Sequence, residues 1–315
     1  MSGWNVTFNI SYTSFFLLGF PVLKESQSLL ILPFFCLYME ILLANGLIIY
    51  IVTTQRSLHQ PMYALFSLLL AINICTTTTV VPATLFSFSI YFNHISLACC
   101  LIQMFFIYFL LAFDCNILLV MALDCYVAIC YPLHYPEVMT GQVLAGLVGV
   151  AATQSVGIVA SVVCLASRVH FCCSNVICHF TCEHMALMKL SCGDISLNKT
   201  VGLALCVFNR ILDLLHLATS ISSGGARSKA LHTCGSHLLI IFTVYSSTLS
   251  SSIVYCVAHT ASQDVHNLIS AFYLSIPCLV NTAIYGARTK EIWQHLAKLC
   301  SLFSSKDCRE PKQCM

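Results

Sequence analysis

The chain has 315 residues, 58% of them apolar, and only 26 charged side chains, 14 basic and 12 acidic. A soluble domain of this length carries roughly 79 charges, so an ordinary soluble enzyme is excluded. High hydrophobicity also excludes intrinsic disorder, and a net charge of +2 offers no basic patch to phosphates, so no nucleic-acid partner is expected.

A lipid bilayer fits this composition, because a spanning helix needs about 20 mostly apolar residues. Residues 1–28 precede the first such stretch and carry two glycosylation sequons, Asn5-Val6-Thr7 and Asn9-Ile10-Ser11. No basic region followed by an apolar run and a small-residue cleavage site is present there, so the first span is expected to direct insertion. Seven predicted spans follow, at 29–52, 61–90, 100–126, 143–165, 201–223, 228–257 and 265–285. The fifth is interrupted by Asn209, Arg210, Asp213 and His216, which are costly in lipid unless they face other helices or water. After the seventh span, residues 290–303 place Ile292, Trp293, Leu296, Leu299, Cys300 and Phe303 at helical spacing. Lys290, Glu291, Gln294 and Lys298 lie opposite, the pattern of a helix lying in the membrane interface.

The predicted fold class is an all-α membrane protein, a seven-transmembrane helix bundle with a short interfacial C-terminal helix. It divides into an extracellular tail (1–28), the bundle (29–285) and a cytoplasmic tail (286–315). Orientation follows the basic residues: with the N-terminus outside, the inner segments hold nine Lys and Arg and the outer ones four. Multi-pass insertion in the plasma membrane is therefore expected, N-terminus extracellular and C-terminus cytoplasmic.

Most of the 20 cysteines lie inside spans, where they serve as small polarizable core residues. The outer loop between spans four and five differs, crowding Cys172, Cys173, Cys178, Cys182 and Cys192 into 21 residues, with Cys99 and Cys100 on the same face. Disulfides are the preferred reading in an oxidising compartment. The run Cys178-His179-Phe180-Thr181-Cys182-Glu183-His184 also offers zinc or copper ligands, a rival reading to which no metal site is assigned. No phosphate loop, nucleophile elbow or His-Glu-x-x-His pattern occurs, so no enzyme activity and no cofactor are expected. Transporters or channels of this size usually show inverted repeats, which are not evident, leaving that class a remote alternative. The charges within spans are Glu40, Asp114, Arg210 and Asp213.

Four segments carry a recognisable pattern. Leu58-His59-Gln60-Pro61-Met62-Tyr63 opens span two, and Met121-Ala122-Leu123-Asp124-Cys125-Tyr126-Val127-Ala128-Ile129-Cys130-Tyr131-Pro132-Leu133 closes span three. Lys229-Ala230-Leu231-His232-Thr233-Cys234-Gly235-Ser236-His237 opens span six, and Asn281-Thr282-Ala283-Ile284-Tyr285-Gly286 ends span seven. In this order and spacing they resemble the odorant (olfactory) receptors, a family of rhodopsin-like G-protein-coupled receptors. The run from His179 to Ala186, reading His-Phe-Thr-Cys-Glu-His-Met-Ala, resembles the fish-like class I branch.

The resemblance implies a Cys100–Cys182 bridge from span three to the outer loop and a Cys172–Cys192 bridge within that loop. It implies a small-molecule cavity between spans three, five, six and seven, roofed by the loop. Tyr108, Leu111 and Ala112 on span three and Thr248 and Ser252 on span six map to that cavity, with Tyr245 as an aromatic relay beneath it. Each set shares one helical face, although the same residues could simply pack helix against helix. Asp124, Cys125 and Tyr126 map to the edge of the G-protein cleft. Asp114, Asn73, Asn281 and Tyr285 map to the family's switch and polar core, where a buried carboxylate takes a sodium ion or a proton as partner. The implied partners are an odorant-like ligand, a heterotrimeric G protein of the stimulatory olfactory type, and the lipid bilayer.

The chain also departs from the family pattern. Cys125 stands where the family has arginine, removing a permanent charge and several donors. Thr282 replaces proline in span seven, restoring a backbone N–H and removing a bend. Asn73 replaces an acid in span two, and Glu40 adds a carboxyl to span one near Asn45 in sequence. Span five is shorter by about ten residues, roughly three turns, so either the helix stops early or 204–223 shifts register and Arg210 neutralises Asp213. Tyr255 and Cys256 stand where the class I pattern has His-Arg. A small neutral ligand such as an alcohol, ketone or aldehyde is therefore expected over a carboxylic acid, since an anion in a dry pocket needs a cationic partner. Two readings stay open: a signalling receptor acting through cyclic AMP, and a degenerate family member that does not signal.

Overall fold

The computed structural model describes residues 11–20, 28–89, 94–202 and 263–288, together with positions 204, 292, 294, 295 and 297. Five long helices lie in these segments: α1 (Ile31–Thr54), α2 (Pro61–Ser89), α3 (Leu97–Cys130), α5 (Gly141–Ser167) and α7 (Gln263–Arg288). Two short helices sit in connections, α4 (Tyr135–Val138) before α5 and α6 (His184–Met188) in the outer loop. Ser28–Thr54, Pro61–Phe86, Leu97–Cys130 and Gly141–Ser167 are long and apolar enough to cross a membrane. These correspond to the first four predicted spans, and α7 to the seventh. The fifth and sixth spans and most of the predicted interfacial helix lie outside the described residues.

Local chemistry accounts for the helix limits. The Ser96 hydroxyl accepts from Cys99 N–H at 3.2 Å and the Thr140 hydroxyl from Val143 N–H at 3.3 Å, capping α3 and α5. With this cap and no proline before Pro132, α3 runs a turn beyond the expected 100–126 at its inner end. The four-threonine run 76–79 is compatible with α2 because Thr76, Thr77 and Thr79 donate to carbonyls one turn back, at 2.7–2.9 Å.

The bundle is apolar outside and mixed inside, the reverse of a soluble protein. Leu32, Phe35, Leu43, Leu47 and Tyr50 of α1 are exposed, while Asn45 on the opposite side is buried. Glu40 is exposed with the former group. Five residues of helix turn through about 500°, or about 140° net, so Glu40, though near Asn45 in sequence, points away from it. Ile48, Leu69, Leu70, Ile117, Leu118 and Ala151 form a core joining α1, α2, α3 and α5.

The outer end holds a three-stranded sheet, absent from the all-helical expectation. Strand β1 (Ser14–Leu17) lies between β2 (His94–Ser96), antiparallel to it, and β3 (Val176–Ile177), parallel to it. Phe16 faces His94 in one pairing and Val176 in the other. The segment read from sequence as tail is thus partly a strand. Its alternation is the reason: Phe15 is fully buried beneath the sheet while Phe16 points outward.

Candidate functional site

Under the outer loop, the structure joins Cys100 at the start of α3 to Cys182, and Cys172 to Cys192 within the loop. The first bridge fixes α6 above α3. Glu183 caps α6 by accepting from Ala186 N–H at 2.8 Å. The Tyr108 hydroxyl lies 3.4 Å from Glu183 Oε1, toward which it donates, and accepts from His184 N–H at 3.2 Å. Gln103 Oε1 accepts from Cys182 N–H at 3.2 Å, a further tie between α3 and the loop. Burial pushes the Glu183 carboxyl above its usual range, against the opposing pull of the Ala186 and Met185 N–H groups, Tyr108 and Lys189. Burial pushes His184 downward, and its Nε2 is buried without a hydrogen-bond partner.

Of the expected cavity face, Tyr108, Leu111 and Ala112 are each half-buried on α3. Tyr108 packs against the outer-end cluster containing Cys100, Met104 and Cys182. Leu111 packs against a separate cluster of Val80, Ile107, Phe180 and Ala271. Beside it, Phe34, Thr76, Thr77, Val81 and Ser275 help line a crevice between α1, α2 and α7 of about 10 Å³, room for one water. Tyr245, Thr248 and Ser252 lie outside the described residues, as do Asn5 and Asn9.

A polar junction ties three helices in the bundle interior. Asn45 Oδ1 of α1 accepts from Asn73 Nδ2 of α2 at 3.4 Å and from the Thr282 hydroxyl of α7 at 2.9 Å. That hydroxyl also lies 2.8 Å from the Cys278 carbonyl one turn back. Asp114 of α3 and Asn281 of α7 are buried too, and Asp114 Oδ1 and both amide atoms of Asn281 lack hydrogen-bond partners. Tyr285 belongs to α7, but its side chain is outside the described set. A second junction joins α3 to α5, where Asn116 Nδ2 donates to Ser155 Oγ at 2.9 Å.

At the inner end of α3, Asp124 and Cys125 are buried and Tyr126 is half-buried. Tyr135 of α4 donates its hydroxyl to Asp124 Oδ1 at 2.9 Å. Burial and the neighbouring Asp124 push the Tyr135 phenol upward. The Tyr126 and Tyr131 rings meet edge to face at 6.2 Å. The inner loop thus contacts α3 through tyrosines, in a chain whose sequence lacks the arginine at position 125.

Glu183, His184, Asn45 and Thr282 were not among the site residues expected from sequence. Glu183 and His184 were visible as the polar pair after Cys182, and Thr282 as a hydroxyl in place of proline. Among the described residues no three His, Cys, Asp or Glu side chains converge to hold a metal. In the candidate metal run, Cys182 is bonded to Cys100 and His179 Nδ1 accepts from Thr181 N–H at 3.1 Å.

Comparison with known proteins agrees with this layout. A family model described as "Olfactory receptor" matches residues 34–302. Among curated proteins, human olfactory receptor 52K1 is 36% identical over 303 residues, covering 93% of this chain and 96% of its own. Human olfactory receptor 52K2 is 36% identical over 317 residues, covering 98% and 100%. Human olfactory receptor 52B6 is 37% identical over 297 residues, covering 91% and 88%.

Proposed function

The chain belongs to the olfactory receptor family, in its class I branch, and from that premise we propose that it binds a small neutral odorant and signals through cyclic AMP. It is an odorant-sensing G-protein-coupled receptor with a seven-helix bundle, a multi-pass plasma-membrane protein and not an enzyme. The proposal adds the ligand class, the stimulatory olfactory G protein, an extracellular N-terminus bearing glycans at Asn5 and Asn9, and residue roles.

In this reading the ligand meets Tyr108, Leu111 and Ala112 on α3 and Thr248 and Ser252 on span six, with Tyr245 relaying contact downward. The observation that carries it is the half-buried α3 face of Tyr108, Leu111 and Ala112, positioned beneath a loop bonded to α3 by Cys100 and Cys182. An agonist acts only by binding the active arrangement better than the resting one. Asp114, Asn73, Asn281 and Tyr285 are the switch through which that preference passes, and Asp124, Cys125 and Tyr126 border the G protein. Buried polar atoms without partners on Asp114 and Asn281 support a site with more than one stable arrangement.

A test expresses the chain with the olfactory G protein, labels the cell surface, and screens alcohols, ketones and aldehydes beside carboxylic acids for cyclic AMP. Responses to the neutral set that fall at least about tenfold in potency in Thr248→Ala and Ser252→Ala, the loss of about one good hydrogen bond, support the reading. Responses to acids alone overturn the ligand class.

A second reading, a family member that does not signal, draws on two observations: Cys125 in place of arginine, and the Thr282 hydroxyl bonded to Asn45 where proline would leave α7 bent. A surface-exposed chain silent to every odorant, with signalling gained in the Cys125→Arg and Thr282→Pro double variant, favours it. Odorant-dependent cyclic AMP from the wild-type chain overturns it.

A further inference from the structure

One of the two outer-loop disulfides has a third sulfur beside it. Cys172 is bonded to Cys192, and Cys173 Sγ lies 3.7 Å from Cys192 Sγ, at van der Waals contact. Cys173 and Cys192 are both exposed to the outer medium rather than buried in the bundle. The backbone fixes this juxtaposition. Phe171 and Ser191 form an antiparallel bridge, Cys173 N–H donates to Leu190 O at 3.2 Å, and Cys192 N–H donates to His170 O at 3.2 Å. The Cys173 thiol also lies 3.1 Å from the Ser191 carbonyl, which anchors it on the Cys192 side of the loop.

We propose that Cys172–Cys192 is one of two interchangeable bridges, and that Cys173 is the thiol that exchanges them. The Cys173 thiolate attacks Cys192 Sγ, and a Cys173–Cys192 bond forms as the Cys172–Cys192 bond breaks. The electron pair of the broken bond leaves on Cys172 Sγ, which takes up the proton that Cys173 gave to water. One thiol and one disulfide exist before and after, so the step consumes neither oxidant nor reductant. The thiolate is the attacking species, so the rate rises with pH in the neutral to mildly alkaline range while the equilibrium between the two bridges does not depend on it.

The position of the bridge bears on the rest of the outer end. Phe171, next to Cys172, is fully buried, and its ring meets that of Phe15 in β1 edge to face at 5.5 Å. Its carbonyl accepts from Tyr12 N–H at 2.7 Å, and its own N–H donates to the Ser11 hydroxyl at 3.3 Å. Phe171 therefore anchors the N-terminal strand to the loop. The chain bends at Cys173, so its sulfur reaches Cys192 beside that of Cys172, and exchange moves the point at which the loop is held by one residue. The Cys173 isomer holds the loop one residue farther from Phe171 and loosens that anchor. The exchange is thus a two-state control on how firmly the N-terminal segment closes the outer end, whatever ligand lies beneath.

The test uses the full-length chain at the surface of intact cells. It is alkylated with a membrane-impermeant iodoacetamide at pH 6 and at pH 8, digested without reduction, and mapped by mass spectrometry. Cys178, exposed and unbridged, gives the reference labelling. The expected result is label on both Cys172 and Cys173, and two cross-linked peptides in which Cys192 is joined to one or the other. Cys172 label appears faster at pH 8, and it falls at least about tenfold in Cys173→Ser, because the exchange route is gone. In Cys172→Ser, Cys192 is expected to be bridged to Cys173. Label confined to Cys173 in the wild type overturns the proposal without any variant. Cys172 label that persists in Cys173→Ser also overturns it, since that result marks incomplete oxidation instead of exchange.

Discussion

The two ends of the bundle are built from the same apolar helices but are fastened differently. At the outer end, two disulfides, a three-stranded sheet and a buried cluster around Phe15, Phe171 and Leu187 tie the N-terminal segment and loop to α3. At the inner end, the described contacts between α3 and the following loop include the Tyr135–Asp124 hydrogen bond and the Tyr126–Tyr131 edge contact. Between them the α1–α2–α7 junction rests on single side-chain bonds to Asn45. Covalent links are insensitive to small changes in packing, whereas single hydrogen bonds within a bilayer are worth only about 0.6 kcal/mol on average. The outer end is thus held more firmly than the α1–α2–α7 junction.

Breaking the strongest outer tie should have the largest effect. The Cys100–Cys182 bridge spans 82 residues of sequence, and removing a native bridge costs about 2–5 kcal/mol. Cys182→Ser should therefore reduce surface-exposed protein severely, read by antibody against an N-terminal tag on unpermeabilised cells. Normal surface levels would show that the sheet and apolar cluster fasten the outer end without the bridge. At the inner end, Tyr135→Phe removes one hydrogen bond to Asp124 from a half-buried site, costing about 1 kcal/mol. The expected outcome is a lower melting temperature for purified receptor with normal surface delivery. Equal losses from Cys182→Ser and Tyr135→Phe would erase the contrast between the two ends.

Sequence and structure agree where one physical rule acts alone. Hydropathy located the five long helices among the described residues because about 20 apolar residues in a row admit few readings. Asn73, Asp114 and Asn281, mapped to the polar core by the resemblance, are buried, as polar groups on such helices are pushed from lipid. Glu40 obeyed no such rule: it is a charged residue on an apolar helix, yet it is exposed. The strand at Ser14–Leu17 was hidden for another reason. Its partners, His94–Ser96 and Val176–Ile177, are remote in the chain, and a four-residue alternation carries little signal by itself. Tyr108 was found as a residue of the α3 face, but its contacts with Glu183 and His184 depend on where the Cys100 bridge sets the loop.

The α7 junction gives a smaller and more selective test. Thr282→Val keeps the side-chain volume but removes the hydroxyl bonded to Asn45, whereas Thr282→Ser keeps that hydroxyl. Loss of about 0.6 kcal/mol from one arrangement changes its population about threefold. Basal cyclic AMP should therefore change about threefold in Thr282→Val and stay at the wild-type level in Thr282→Ser. A similar change in both would assign the effect to backbone or packing changes and not to the bond.

The smallest effect concerns protonation of the outer loop, and its sign follows from the two buried groups. Burial raises the Glu183 carboxyl, so the docked loop is most stable below the usual glutamate range and loses stability as pH rises through the raised value. Burial lowers His184, so its contribution is complete above the usual histidine range and is lost as pH falls toward the lowered value. The two slopes oppose each other wherever both groups titrate, so the wild-type dependence there is shallower than that of either group alone. Glu183→Gln removes the titration and keeps one oxygen acceptor, enough for the α6 cap or for the Tyr108 contact but not for both. Hydrogen exchange of the α6 amides should then show protection that rises with pH up to the usual histidine range and levels off above it, the His184 slope alone. If the variant and wild-type profiles superimpose, Glu183 does not ionise against the docked loop. The rigidity of the outer end would then owe nothing to its charge.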